Sequence, residues 1–108
     1  MMSNTKLNPI LRELRNEFSK VLEDQCEDII LYGSHARGDA SSSSDVDVLV
    51  IIKGVFDYGD LIEKTSAVVA KISLRNDIVI SRAFVSKEQF ENARTPFLMN
   101  VRREGVPV

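Results

Sequence analysis

Residues 45–52 limit the fold more than any other segment, because two aspartates there lead into an almost unbroken run of branched aliphatic side chains. A strand with so continuous an apolar sequence needs cover on both faces, from its own chain or from a partner. Its uninterrupted part, residues 48–52, is far too short to cross a membrane. A chain of 108 residues can supply one core of ordinary size, so we expect a single domain over residues 1–108.

Composition narrows the class of protein. A hydrophobic content of 44% is typical of a globular chain and argues against disorder. The chain has no signal-peptide pattern, and its single cysteine, Cys26, cannot form an internal disulfide, so we expect a cytoplasmic protein without a membrane partner. A net charge of −2 argues against binding nucleic acid by charge alone.

Hydrophobic periodicity predicts two long amphipathic helices and three strands. The first helix has Asn8 as its N-cap and Pro9 in its first turn, and the second spans residues 58–72. The predicted strands are residues 28–32, 45–52 and 77–84.

Two shorter helices are predicted after the third strand. Ser86 and Gln89 form a capping box that opens one of them. Thr95 and Pro96 open the other, and Gly105 ends it. This order of elements predicts an α/β (α+β) domain with a small mixed three-stranded sheet and flanking helices.

The connections between strands predict where polar residues meet. A helical crossover joins the second and third strands, which favours parallel pairing, whereas the short link between the first and second favours antiparallel pairing. The end of strand one and the starts of strands two and three then share one edge of the sheet. That edge carries Gly33, Ser34, Asp45, Asp47 and Asp77.

The three acidic residues at this edge suggest a metal site. Asp45 and Asp47 lie two apart in a strand and point to the same face, about 6.5–7 Å from each other. Asp77, at the start of the next strand, can complete a cluster of three carboxylates. These carboxylates would repel one another unless cations lie between them. Carboxylates are preferred ligands of Mg²⁺, and two such ions would suit phosphoryl transfer.

The preceding loop suggests a phosphate site. Gly33 allows the backbone to approach a ligand closely, and Ser34 is predicted to cap a short helix over residues 35–37. The first N–H groups of that helix and the guanidinium of Arg37 would bind phosphate oxygens.

The spacing of these residues resembles a known family. Gly33-Ser34, ten intervening residues and Asp45-x-Asp47 match the signature of nucleotidyltransferases related to the polymerase β palm. The strings Gly-Ser-His-Ala-Arg-Gly-Asp and Ser-Asp-Val-Asp-Val-Leu-Val resemble the minimal nucleotidyltransferases found beside HEPN proteins in prokaryotes. Residues 76–80 and 97–105 are similar to that family's third-aspartate strand and tail, so the resemblance covers nearly the whole chain.

The resemblance implies the nucleotidyltransferase fold and transfer of AMP from ATP to a hydroxyl group, with two Mg²⁺ ions. It implies that Gly33 and Ser34 bind the β- and γ-phosphates and that Asp45 and Asp47 hold both ions. It also implies that Asp77 shares one ion and helps to activate the attacking hydroxyl as a general base. The nucleotide-binding residues implied are Gly33, Ser34 and Arg37, and the metal-binding and catalytic residues are Asp45, Asp47 and Asp77.

The acceptor implied by the resemblance is a partner protein. Aminoglycoside adenylyltransferases share the motif but carry a second domain for their acceptor, for which we find no segment here. We therefore expect a HEPN-type toxin, encoded nearby and neutralised by AMPylation, which makes this chain an antitoxin. Two alternatives stay open: a catalytically silent antitoxin that occupies its partner, and an adenylyltransferase for a small molecule. The sequence also leaves homo-oligomer formation open.

Other enzyme classes fit less well. In haloacid-dehalogenase-type phosphotransferases the D-x-D motif follows a hydrophobic strand, whereas Asp45 and Asp47 precede one. A P-loop enzyme needs a lysine after its glycines, and the loop at Gly33 has none.

Several residues near the motif allow two interpretations each. His35 is either an exposed loop residue or a ligand contact, and Tyr32 either packs or stacks on a base. Three arginines either complement a helix C-terminus or contact phosphate or a partner: Arg94, Arg102 and Arg103.

Overall fold

The computed structural model describes residues 4–41 and 44–108, and the side chains from residue 6 onward within them. Residues 42 and 43 of the serine-rich loop lie outside the described residues. Within these ranges, no α-helix combines the length and the hydropathy that a membrane-spanning segment requires. The elements are α1 (Asn4–Leu22), β1 (Cys26–Tyr32), α2 (Ser34–Arg37), β2 (Val46–Ile52), α3 (Tyr58–Asn76), β3 (Ile80–Ser86), α4 (Lys87–Asn92), α5 (Pro96–Glu104) and β4 (Val106–Pro107), with a 3₁₀ turn at Glu23–Gln25.

The strands form one mixed sheet in the order β3-β2-β1-β4. β1 pairs antiparallel with β2, and β2 pairs parallel with β3, which confirms both pairings expected from the connections. The prediction of three strands was wrong by one. β4 adds two residues to the free edge of β1, where Val106 pairs with Leu31 and Pro107 with Ile30. A two-residue strand that contains proline is too short to show any periodicity in the sequence.

Helices cover β2 on both faces, as its apolar sequence requires. One face packs in the main core against α1 and α3, through side chains such as Phe18 and Ile72. The other face packs in a smaller core against α5, through Leu98 and Val101. The β2 residues that alternate between the two cores are Val46, Val48, Val50 and Ile52 on the α1/α3 face and Leu49 and Ile51 on the α5 face.

The first helix begins before the predicted cap. It begins at Asn4, so Asn8 and Pro9 lie inside α1 rather than at its start. A helical backbone over this segment places Leu7 one turn before Leu11, and both side chains are buried in the core. Burying a leucine is worth about 1.5–3 kcal/mol, which offsets much of the helix hydrogen bond that Pro9 cannot donate.

The third strand begins later than predicted. β3 begins at Ile80, whereas Asp77 is the C-cap of α3 with φ 52° and ψ 50°. Its backbone N–H donates to the carbonyl of Ser73. Aspartate is one of the few residues that tolerate this left-handed conformation, so Asp77 ends a helix rather than opening a strand.

Most helix ends in the second half of the chain agree with the sequence. Ser86 and Gln89 form the predicted capping box, and the Thr95 side chain accepts a hydrogen bond at the start of α5, which ends at Gly105. The N-cap of α3 was not predicted: the Asp57 side chain accepts from the backbone N–H of Asp60.

Candidate functional site

The residues of the sequence motif meet where β1 ends and β2 begins. Gly33 follows β1 with φ 76° and ψ −157°, a backbone conformation that is essentially restricted to glycine. A Cβ atom added at position 33 would lie 2.4 Å from Asp47 Oδ2, which shows that the backbone of Gly33 lies directly against this side chain. The glycine turn and the second aspartate are therefore in contact.

A single turn of helix follows this glycine. The carbonyl of Gly33 accepts hydrogen bonds from the backbone N–H groups of Ala36 and Arg37, each at 3.1 Å. Ser34 is the first residue of α2 and not its cap, which corrects the sequence prediction; the cap position belongs to Gly33 and has no side-chain hydrogen bond. The backbone N–H groups of Ser34 and His35 lie in the first turn of α2 and have no acceptor within the helix, so they can bind an anion.

The carboxylates of Asp45 and Asp47 are close enough to influence each other. Burial raises the pKa of Asp47, and the neighbouring charge of Asp45 raises it further. His35 and Arg37 act in the opposite direction and lower this pKa. The four side chains thus influence one another, and burial of the Asp47 carboxylate is the main reason that its pKa is raised.

The strand register defines what lies on either side of Asp47. Tyr32 on β1 pairs with Asp47, and Asp47 pairs with Ser81 on β3. The next row towards the smaller core contains Leu49 and Ala83, which pack beneath α5. Tyr32, Asp47 and Ser81 therefore form the row of this face that adjoins the motif, at the border of the smaller core. Sequence reasoning missed Ser81, because the predicted strand starts at residues 45 and 77 place Val79 opposite Asp47, whereas β3 in fact begins at Ile80.

Asp77 does not join the other two aspartates in contact. It lies at the C-cap of α3, and it is not among the charges that shift the pKa of Asp47. Within residues 4–41 and 44–108, no group of three or more His, Cys, Asp or Glu side chains could hold a metal ion. The structure thus brings Asp45 and Asp47 together and leaves Asp77 outside this pair.

The Asp45–Asp47 pair nevertheless fits a divalent cation of the kind that nucleotidyl transfer uses. The ligands of Mg²⁺ are usually one or two carboxylates, together with water and substrate phosphate oxygens, rather than a full protein cage. The raised pKa of Asp47 indicates a carboxylate that a nearby cation would stabilise in its ionised form. The oxygen donors and the unbalanced negative charge are the two features that such a cation needs.

Arg37 is already engaged by two carboxylates. Its Nε lies 3.2 Å from Asp39 Oδ2, and its Nη1 lies 3.6 Å from Glu104 Oε2 at the end of α5. These acceptors raise the pKa of Arg37, chiefly through the hydrogen bond with Asp39. A phosphate group that binds Arg37 must therefore compete with them.

The two other residues beside the motif are packed. His35 lies in α2 and is half-buried, with Nε2 3.3 Å from the carbonyl oxygen of Ser44, so it is not an exposed loop residue. The ring of Tyr32 meets that of Phe97 edge to face, with centroids 5.3 Å apart. Burial, and next the charge of Asp47, raises the pKa of Tyr32. Of the two interpretations of Tyr32, packing is therefore the one that the structure shows.

The arginines near the end of the chain make local contacts. Arg102 Nη2 donates to the carbonyl of Ala93 at 2.6 Å, and Nη1 donates to that of Phe90, so this side chain holds the end of α4 against α5. Arg103 donates to Asn100 Oδ1 at 2.7 Å. Arg102 and Arg103 both lie in the last turn of α5, as the helix-terminus interpretation expects, and Arg102 also binds the carbonyls at the end of α4.

Comparison with known sequences gives the same family over most of the chain. Residues 11–103 match the family described as "Nucleotidyltransferase domain". Two proteins of Methanocaldococcus jannaschii, both named "Putative protein adenylyltransferase", are 34% identical over 99 residues and 32% identical over 96 residues. The first comparison covers 92% of this chain and 95% of the relative, and the second covers 88% and 90%.

Solved structures share the fold. A structure described as a "putative nucleotidyltransferase" from Sulfolobus solfataricus is similar with a TM-score of 0.59, over 98% of this chain and 87% of the other, at 18% identity. A toxin–antitoxin structure with AMP-PNP gives a TM-score of 0.54, over 85% of this chain and 69% of the other, at 22% identity.

The fold, the contact between the glycine turn and Asp47, and the family match over residues 11–103 agree with one another. Relatives of nearly equal extent are about one-third identical to it. This chain therefore belongs to the nucleotidyltransferase domain family, and it is a nucleotidyltransferase.

Proposed function

We propose that this enzyme transfers AMP from ATP to a hydroxyl group of a partner protein, in a reaction that depends on Mg²⁺. The observation that carries the proposal is the contact between Gly33 and Asp47. It joins a turn with free backbone N–H groups to a pair of carboxylates. A triphosphate and its cation would therefore be bound side by side.

The turn binds the phosphates in this proposal. The N–H groups of Ser34 and His35 donate to phosphate oxygens, and the Ser34 hydroxyl, which has no hydrogen-bond partner among the described residues, can donate as well. Arg37 contributes its charge once Asp39 and Glu104 give way to the phosphate.

The carboxylates serve the reacting groups. Asp45 and Asp47 would hold the cations, which would supply positive charge to offset the negative charge that develops during transfer. The acceptor oxygen forms a bond to the α-phosphorus of ATP, the bond from that phosphorus to the β-phosphate oxygen breaks, and pyrophosphate leaves. We propose Asp77, at the end of α3 that adjoins β3, as the base that takes the hydroxyl proton.

The names and descriptions of related proteins support a protein acceptor. The two relatives from Methanocaldococcus jannaschii are named as protein adenylyltransferases, and two structures with the same fold are toxin–antitoxin complexes. We propose a toxin, of the HEPN type and encoded nearby, as the acceptor that this chain neutralises. The partner would be recognised as a folded protein that presents its hydroxyl to the Asp45–Asp47 pair.

The test is transfer of label from α-³²P-ATP to the purified partner in the presence of Mg²⁺. The wild type is compared with Asp47→Asn, which keeps the shape of the side chain and removes its charge. Asp24→Asn, an exposed aspartate in the 3₁₀ turn, is the matched control. We expect wild type and Asp24→Asn to label the partner with an added mass of AMP, and Asp47→Asn to lose at least about 100-fold in rate, as expected when a transition-state contact is removed.

Two results would contradict the proposal and indicate one of the alternatives. Absence of label with all four nucleoside triphosphates, while Asp47→Asn still binds and silences the partner, would indicate a silent antitoxin. Label on a small hydroxylated molecule but not on the partner would indicate a small-molecule adenylyltransferase.

A further inference from the structure

Ser81 lies at the position on β3 that is level with Asp47. The two strands are parallel, and the register pairs Asp47 with Ser81 directly. Paired residues of neighbouring strands point to the same face of a sheet. The Ser81 hydroxyl and the Asp47 carboxylate therefore project side by side from the same face.

Packing on both sides of Ser81 supports this orientation. Arg82, the next residue, donates to Thr65 of α3 and so lies on the opposite face. Ala83, two residues after Ser81, packs in the smaller core with Leu49, which is two residues after Asp47. Two independent neighbours thus place Ser81 on the face of the motif, at the border of the smaller core.

The hydroxyl of Ser81 is available to a ligand. It makes no hydrogen bond to any residue that the structure describes, and it is not one of the enclosed polar atoms that lack a partner. Ser81 is half-buried, and its hydroxyl oxygen is accessible to solvent beside Asp47. Asp77, which the sequence placed beside Asp47, ends a helix instead.

We infer that Ser81 is a further residue of the cation site, and that its hydroxyl hydrogen-bonds the water or phosphate oxygens around a divalent cation held by Asp45 and Asp47. The inference rests on the proposed function, which assigns the cation to that pair. Mg²⁺ keeps several waters when few carboxylates bind it, and those waters need partners in the surrounding protein. Ser81 is thus a positioning residue, on the side of Asp47 opposite Tyr32.

Mn²⁺ alone, titrated into the full chain and followed by electron paramagnetic resonance, tests this without any dependence on activity. For Ser81→Ala we expect binding to weaken about 10-fold, the usual loss when a group that supports metal ligands is removed. For Ser81→Asp we expect binding to tighten about 10-fold, since a third carboxylate would join the pair. Ser19→Ala and Ser19→Asp, on the exposed face of α1, are the matched controls for hydroxyl loss and added charge.

Opposite shifts for Ala and Asp at position 81, with unchanged binding for both controls, would support the inference, because a purely structural role would weaken binding in both variants. If wild type binds Mn²⁺, Asp47→Asn does not, and both Ser81 variants bind as wild type does, the inference is wrong and the proposed cation site stands. If wild type and Asp47→Asn bind equally or not at all, the proposed cation site itself fails and the inference fails with it.

Discussion

Gly33 and Asp47 are packed so closely that no side chain fits between them. An added Cβ would lie 2.4 Å from Oδ2 and 3.3 Å from Cγ of the carboxylate. The backbone of Gly33 also adopts φ 76°, which other residues rarely adopt. The glycine of the motif is therefore required twice, once for the conformation of the turn and once for the contact that brings the turn to the carboxylate.

Gly33→Ala should abolish transfer activity and destabilise the fold. The backbone strain alone is expected to cost about 1–3 kcal/mol, and the clash with Asp47 adds to it. Gly54→Ala is the matched control, because Gly54 has φ 70° but a Cβ there would meet nothing within 4 Å. Urea unfolding measures the loss of stability, and transfer of label from α-³²P-ATP, together with ATP binding, measures the loss of function. Equal loss of ATP binding in both variants would contradict a specific role for the Gly33–Asp47 contact.

Asp47→Asn should make the protein more stable at neutral pH while it removes activity. Burial first, and Asp45 second, raises the pKa of Asp47 in the folded protein above its ordinary value. An acid with a raised pKa contributes stability below its unfolded pKa, and that contribution is lost as the pH rises through the folded pKa. At neutral pH the ionised carboxylate thus opposes folding, and the neutral amide does not.

Thermal unfolding from pH 3 to pH 8, with EDTA present, measures this effect. We expect the wild type to lose stability relative to Asp47→Asn as the pH rises just above the ordinary pKa of aspartate. Asp24→Asn, at an exposed position, should follow the wild type. Mg²⁺ in place of EDTA should then stabilise the wild type more than Asp47→Asn, because a ligand stabilises the state that binds it. A parallel pH dependence in wild type and Asp47→Asn would contradict the proposed electrostatic cost.

Much of the site could be predicted because it depends on strand connections and local spacing. The short link and the helical crossover were enough to pair β1, β2 and β3 correctly, and this brought Gly33 and Asp47 to one edge of the sheet. Turn residues and caps such as Thr95 act within a few residues of their own position. A single sequence contains the signal for contacts of this kind.

Features set by contacts between distant segments could not be predicted in the same way. β4 depends on its pairing with Leu31, far earlier in the chain, and the start of α1 depends on the burial of Leu7. For Asp77, the apolar pattern of α3 ends at Ile72, and nothing after it indicates whether the helix continues. The structure continues the helix to Asn76, which moves Asp77 out of the strand.

Glu104→Gln should tighten ATP binding, because Glu104 competes with phosphate for Arg37. The ion pair is 3.6 Å long and exposed to solvent at Arg37, and exposed pairs of this kind contribute little, so we expect a gain of about 2-fold. Arg37→Ala should weaken binding, and Glu104→Gln should then have no further effect in that background. Isothermal titration with a non-hydrolysable ATP analogue measures all three affinities. Weaker binding in Glu104→Gln would mean that the carboxylate orients Arg37 for phosphate instead of competing with it.

Arg82 holds the edge strand to α3, and its loss should destabilise the fold without a direct effect on the site. Its Nε donates to Thr65 Oγ1 at 2.7 Å, and its Nη2 donates to the carbonyl of Ile62 at 2.9 Å. Burial lowers the pKa of Arg82, and among residues 4–41 and 44–108 no carboxylate forms an ion pair with it. Hydrogen bonds to neutral oxygens thus take the place of a counter-charge.

Thr65→Val keeps the volume of the fully buried Thr65 side chain and removes the oxygen that Arg82 contacts. We expect a loss of about 1.5–3 kcal/mol in unfolding free energy, the usual range for hydrogen bonds to a charged group. Ser66→Ala removes a longer and more exposed contact with Arg82, at 3.1 Å, and should cost less. A double-mutant cycle with Arg82→Met, measured by urea unfolding, separates the pair from its surroundings. Additive losses for Thr65→Val and Arg82→Met would show that the two side chains stabilise the fold independently, against the coupling that their geometry predicts.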